Sequence, residues 1–121
     1  MNVISTIEQL RAVILEARAM ELILTAKRMS AKQALQYGVL TKVAPIDSLH
    51  EVTAEFAAEI LQNAPIAIQQ AKFAIKQGMK TDIHTGLQIE RKAYELTIPT
   101  EDRIEALHAF AEKRPPQFKG K

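Results

Sequence analysis

Two carboxylate pairs stand close enough along the chain to suggest acid–base chemistry, Glu90 with Glu95 and Glu101 with Asp102. Two carboxyl groups divide the work of general acid and general base when their surroundings push their proton affinities apart. Carboxylates on helices are far more often solvated surface groups, so neither pair is expected to be catalytic. The histidines, His50, His84 and His108, fall on three different predicted helices, without a nearby cysteine or the paired spacing of a zinc-binding helix, and no metal site is expected. Cysteine is absent altogether, which removes disulfides, thiolate metal ligands and thiol nucleophiles. Three basic groups, Lys27 with Arg28, Lys72 with Lys76 and Lys80, and Lys113 with Arg114, lack the regular interleaving of Tyr and Phe that a series of stacking platforms would need. They describe solvated helix faces better than a nucleic-acid surface, and no nucleic-acid partner is expected.

These residues must be placed by a small scaffold. The chain has 121 residues, 47% of them apolar, which suits one domain over 1–121 with a modest core. Sixteen basic and fourteen acidic side chains nearly cancel, so any anion site must be local. The apolar runs are too short to span a bilayer, and no membrane partner is expected. Met1 opens neither a signal peptide nor a transit peptide, since Glu8 and Glu16 lie where such peptides avoid acids. The expectation is a soluble, cytoplasmic protein.

Spacing of the apolar residues is helical nearly throughout, so the predicted class is mainly α. Ile7, Leu10, Val13, Ile14, Ala17, Met20 and Ile23 form one stripe on a long first helix. Ser30 with Gln33 forms a capping box, and Gly38 supplies a left-handed stop. Residues 39–45 are the one predicted strand. Ser48 with Glu51 forms a second capping box, opening a helix with Val52, Phe56, Ala57 and Ile60 inward that ends near Asn63. Pro65 starts the next helix, carried by Ile66, Ile68, Ala71, Phe73 and Ile75 to Gly78. Thr81 and Asp82 cap a helix that runs through Leu87 and Tyr94 towards Pro99, and Thr100 caps a last helix that stops before Pro115. Beyond it lies a basic extension with one aromatic, Phe118.

Three landmarks in order now point to a family. The first is Leu24-Thr25-Ala26-Lys27-Arg28-Met29-Ser30-Ala31-Lys32-Gln33-Ala34-Leu35-Gln36-Tyr37-Gly38-Val39-Leu40, the second Asn63-Ala64-Pro65 followed by Ala67 and Lys72, and the third the capped tail from Thr100 to Lys121. Together they resemble the carboxy-terminal part of the enoyl-CoA hydratase (crotonase) family over residues 16–121. The ending Thr97-Ile98-Pro99-Thr100-Glu101-Asp102-Arg103 is most similar to methylglutaconyl-CoA and short-chain enoyl-CoA hydratases. Residues 1–15 form a diverged leader: Arg11 and Leu15 replace a proline and a glycine usual in the family, and favour an uninterrupted helix. The fold implied is the helical end of the ClpP/crotonase-like α/β fold, without its β-rich spiral core.

The resemblance implies a lyase reaction, hydration of 2-enoyl-CoA thioesters in fatty-acid or branched-chain amino-acid breakdown, with coenzyme A entering as part of the substrate and no separate cofactor. That reaction needs a carboxylate to activate water, an acid for the α carbon and paired N–H donors for the enolate. The family carries these on two glutamate segments and a Gly-rich segment. This chain has no Gly-Gly pair and no match to either glutamate segment, so no catalytic residue carries over and activity from the chain alone is not expected. What does carry over is a ligand role: the family's last helix offers an aromatic and a lysine to the adenine and phosphates of coenzyme A, at positions matching Phe110 and Lys113 here. Arg114 would be a second cation, with Lys119 and Lys121 weaker candidates. The competing reading makes Phe110 a core residue and Lys113 with Arg114 a cationic helix end matched to the helix dipole. The family also implies a homo-oligomer built on trimers. Two alternatives stay open: a non-catalytic, self-associating helical module from a truncated or split gene, and a nucleic-acid-binding helical domain.

Overall fold

A helix must satisfy its first backbone N–H groups, and this sequence offers a cap at most of the predicted starts. The computed structural model describes residues 7–121, so residues 1–6 of the expected leader lie outside the described residues. Its helices are α1 (Ile7–Val13), α2 (Glu16–Thr25), α3 (Ala31–Gln36), α4 (Leu49–Leu61), α5 (Pro65–Gly78), α6 (Ile83–Glu95) and α7 (Glu101–Glu112), with a 3-10 turn at Ile46–Ser48. The capping box of α3 is present: Gln33 N–H donates to Ser30 Oγ at 3.2 Å and Ser30 N–H donates to Gln33 Oε1 at 3.0 Å. Pro65 occupies the start of α5, where its missing N–H costs nothing. Asp82 Oδ1 accepts from His84 and Thr85 N–H at 3.0 and 3.1 Å, and Thr100 Oγ1 accepts from Arg103 N–H at 3.2 Å. No described helix is long and apolar enough to cross a membrane.

Length favours one domain, while the packing separates two compact units, one up to Val52 and one from Thr53 to Lys121. In the first unit the long helix expected from Ile7 is broken. Leu15 takes an extended conformation, φ −58° and ψ 141°, and α2 begins after it. Leu15 is a good helix former, so propensity does not cause the break. Burial does: Ile14 at the bend is only 6% exposed and Ala19 is buried with it, and α1 packs on α2. The fold thus keeps a bend although Arg11 and Leu15 replace the residues that ordinarily enforce one. The Arg18 guanidinium lies 4.2 Å from the centre of the Tyr37 ring, joining α2 to the end of α3 through a cation–π contact.

The predicted strand over 39–45 is absent; among the described residues there is no strand. Val39 and Leu40 donate their N–H groups to Ala34 O at 2.9 and 3.3 Å, closing the end of α3. Gly38 sits at φ 78°, as a left-handed stop requires. A segment does not open as a strand when its first backbone donors are committed to a helix end. The second capping box is also absent, because Ser48 ends the 3-10 turn and its Oγ donates to Pro45 O at 3.3 Å instead of capping α4.

In the second unit α5 and α6 pack closely where Gly78 meets Gly86. A Cβ placed on Gly86 would stand 3.7 Å from Gly78 Cα, so the two backbones approach with almost nothing between them. Of the apolar residues expected to face inward, Val52, Ile66 and Ile68 are half-buried, whereas Ala57, Ala71, Phe56, Ile60, Phe73, Ile75, Leu87 and Tyr94 are exposed. The buried apolar residues of this unit are Ala93 and Ala109, which the apolar spacing does not single out. A groove of about 840 Å³ runs along α5 and α6, lined by Ala71, Ile75, Met79, Ile83, Leu87 and Tyr94 among others. In this unit two glycines mark the approach of α5 to α6, and many of the large apolar residues are left exposed.

Candidate functional site

α7 carries two contrasting faces. Asp102, Glu105, Ala109 and Glu112 recur at threes and fours, so they share one face, while Leu107 and Phe110 point elsewhere. The first face is covered by the chain's own tail. Lys113 ends the helix in the left-handed conformation, φ 54° and ψ 40°, and Arg114 N–H donates to Ala109 O at 3.0 Å. The backbone then reverses. Arg114 Nη1 and Nη2 donate to the two oxygens of Glu105 at 2.6 and 3.0 Å, and its Nε donates to Glu112 Oε2 at 2.6 Å. Gln117 N–H donates to Glu105 Oε1 at 2.8 Å. Lys119 and Gly120 N–H donate to Asp102 Oδ1 and Oδ2 at 2.6 and 2.8 Å, and Asp102 N–H donates to Lys121 O at 3.1 Å. Gly120, at φ 73°, rests against Pro65 at the start of α5. Tail residues 114, 117, 119 and 120 are therefore received in reverse order by Glu112 and Glu105, then Asp102.

This corrects the expectation that Asp102 is a solvated carboxylate. It is 2% exposed, the one buried polar side chain among the described residues, and both of its oxygens accept backbone N–H groups. Arg114 likewise ceases to be a free cation for phosphate, since Glu105 and Glu112 hold its guanidinium and raise its proton affinity. The Arg114 fork, followed by the Gln117 N–H, holds Glu105 well below the usual carboxylate range, at about 2. The acidic face of α7 and the Pro115-Pro116 step were visible in the sequence. The signal missed was that an acidic face followed by Arg-Pro-Pro invites the tail to fold back.

Phe110 is 87% exposed, so it is not a core residue in this chain. Lys113 is also exposed, one turn further along α7. Glu95 is paired with Lys92 at 2.7 Å and Arg91 at 3.5 Å, and the Lys92 hydrogen bond lowers its pKa. Glu90 lines the groove of α5 and α6, separate from Glu101 at the start of α7. His50, His84 and His108 lie exposed on α4, α6 and α7, and among the described residues no three His, Asp or Glu side chains cluster as metal ligands would.

The comparisons with known proteins agree on a family. The family model described as enoyl-CoA hydratase/isomerase matches residues 5–121, so the match reaches into the segment that looked diverged. The protein YngF of Bacillus subtilis is 48% identical over 93% of this chain and 44% of its own length. Human mitochondrial methylglutaconyl-CoA hydratase is 43% identical over 84% of this chain and 31% of its own length. The crystal structure of enoyl-CoA hydratase from Bacillus anthracis superimposes with a TM-score of 0.91 at 47% identity, covering 95% of this chain and 45% of that one. The chain spans less than half the length of these relatives, and its mainly helical fold is that of their matched part. It belongs to the enoyl-CoA hydratase/isomerase family.

Proposed function

We propose that this chain supplies the coenzyme A side of an acyl-CoA site in an enoyl-CoA hydratase-like protein, with Phe110 stacking on adenine and Lys113 meeting a phosphate. The supporting observation is the 87% exposure of Phe110 on a helix whose opposite face is already closed. A ring left bare three residues before an exposed ammonium has the parts for stacking and charge pairing. Hydration of a 2-enoyl thioester also needs a carboxylate-activated water and paired N–H donors, for which this chain offers no residues. It is therefore a contributor to the pocket and to an oligomer, rather than a hydratase alone.

The test is calorimetric titration of coenzyme A into the wild type, Phe110→Ala and Lys113→Ala. Stacking is worth about 1–3 kcal/mol per base, so the wild type binds with a Kd in the millimolar range at best. Each substitution is expected to weaken binding severalfold. Unchanged affinity in both variants would remove the proposed ligand role. Crotonyl-CoA turnover by the purified chain, surviving re-purification, would overturn the claim that it does not act alone.

The bare groove of α5 and α6 favours one second reading, a helical module that associates with copies of itself. Exposed Ile75, Met79, Ile83, Leu87 and Tyr94 make an apolar surface of the kind stable monomers avoid. Light scattering is expected to show an oligomer. A single monomer at high concentration would reject association by either route.

A further inference from the structure

We infer that Glu105 and Asp102 are positioning residues: they hold Arg114–Lys121 back along α7 and thereby fix the left-handed turn that presents Lys113. The turn itself needs the help. A side chain at φ 54° crowds its own backbone, which is why glycine is the usual residue where a helix ends this way. Lysine stands here instead. Immediately after it the chain makes a run of charge-assisted contacts, in which the Arg114 fork meets both oxygens of Glu105, the strongest geometry available to such a pair. Glu112 steadies the same guanidinium, while Gln117 N–H adds a third donor to Glu105. Asp102, two turns of helix away from Ala109, anchors the far end of the tail through Lys119 and Gly120.

The arrangement separates two neighbouring cations by task. Arg114 is consumed internally, and Lys113 is left as the cation displayed at this end of α7. A glycine at 113 would make the turn more easily but would display nothing, so the carboxylates offset a strained residue kept for its side chain. This inference rests on the reading of Lys113 as a phosphate contact, but the hold on the turn is measurable without any ligand.

The experiment is amide hydrogen exchange on the ¹⁵N-labelled full chain, comparing wild type, Glu105→Gln, Lys113→Gly and the double variant. Losing a hydrogen bond to a charged group is expected to speed exchange at the amides of residues 114 and 117 by about tenfold or more in Glu105→Gln, leaving α5 and α6 unchanged. Adding Lys113→Gly is expected to restore protection at residue 114 but not at 117, because glycine makes the turn without the carboxylate. Arg114→Lys, which keeps the charge and loses the fork, is expected to act in the same direction as Glu105→Gln and serves if that variant unfolds. Unchanged exchange at residue 114 in these variants, or failure of Lys113→Gly to restore it, would overturn the inference. The coenzyme A titration decides the ligand role separately, so the two failures are distinguishable.

Discussion

The pair α5 and α6 is held by shape, whereas α7 and the tail beyond it are held by charge. At the first, Gly78 and Gly86 bring two backbones together with no side chain between them, and large apolar side chains are left along an open groove. At the second, Asp102, Glu105 and Glu112 bind a returning strand of backbone and one guanidinium. The difference teaches how one small chain stabilises two surfaces of different purpose. Close packing of small residues tolerates salt and acid but leaves apolar area seeking cover, while the carboxylates close one face of α7 and leave Phe110 and Lys113 displayed on the rest.

Substitutions should separate the two regions, beginning with the largest effect. Asp102→Ala removes a buried acceptor from two backbone N–H groups, and the loss is expected to be about 3 kcal/mol in urea unfolding. An unaltered midpoint would mean that the tail contributes nothing to stability. Gly86→Leu forces a side chain into the approach of α5 to α6 and is expected to cost about 1–3 kcal/mol, whereas Gly86→Ala meets Gly78 at ordinary contact distance. The alanine variant should be stabilised by up to about 1 kcal/mol through helix propensity. Destabilisation by alanine would show that the backbones are closer than an ordinary contact.

Acid should act on α7 and spare the contact between α5 and α6. The Arg114 fork and the Gln117 N–H depress the Glu105 pKa from an ordinary 4.5 to about 2. A depressed carboxylate stabilises the folded state fully above its unfolded value, and the contribution is lost as pH falls from about 4.5 through about 2. Asp82, held to about 2 mainly by the Thr85 hydroxyl, loses its capping contribution to the start of α6 as pH falls from about 3.8 to about 2. Protection of the Gln117 amide, its exchange measured against the intrinsic rate at each pH, should therefore fall on acidification, and earlier at high salt because the Arg114 pair is partly exposed. A protection factor at Gln117 that stays constant from about pH 5 to about pH 2 would contradict an ionic hold on the tail. The smallest effect on stability is expected for Phe110→Ala, within about 0.5 kcal/mol, because the ring is exposed. A larger loss in the chain alone would make Phe110 a packing residue.

Helix starts were legible in the residues because capping is local: Ser30, Pro65, Asp82 and Thr100 each act within a turn of their own position. Gly38 is the same kind of signal at a helix end. The misplaced features depended on distant partners. Residues 39–45 had no strand to pair with among the described residues, and Ser48 lost its capping role to a 3-10 turn whose carbonyl at Pro45 took its hydroxyl. The family was legible from three ordered landmarks, and the positions of Phe110 and Lys113 came with it. The part played by Asp102 and Glu105 was not, because nothing local to α7 states that residues 114, 117, 119 and 120 will return to it.

By itself, then, the sequence determined the helical class, most helix boundaries and the family, all of which rest on local chemistry or on ordered motifs. Only the tertiary structure decided that Leu15 bends the chain, that α5 and α6 approach through two glycines while Phe73, Leu87 and Tyr94 stay exposed, and that Asp102 is buried. The physical reason is range. Caps, turns and periodicity are settled within about four residues by backbone donors and acceptors, whereas burial and ion pairing depend on which distant segment arrives.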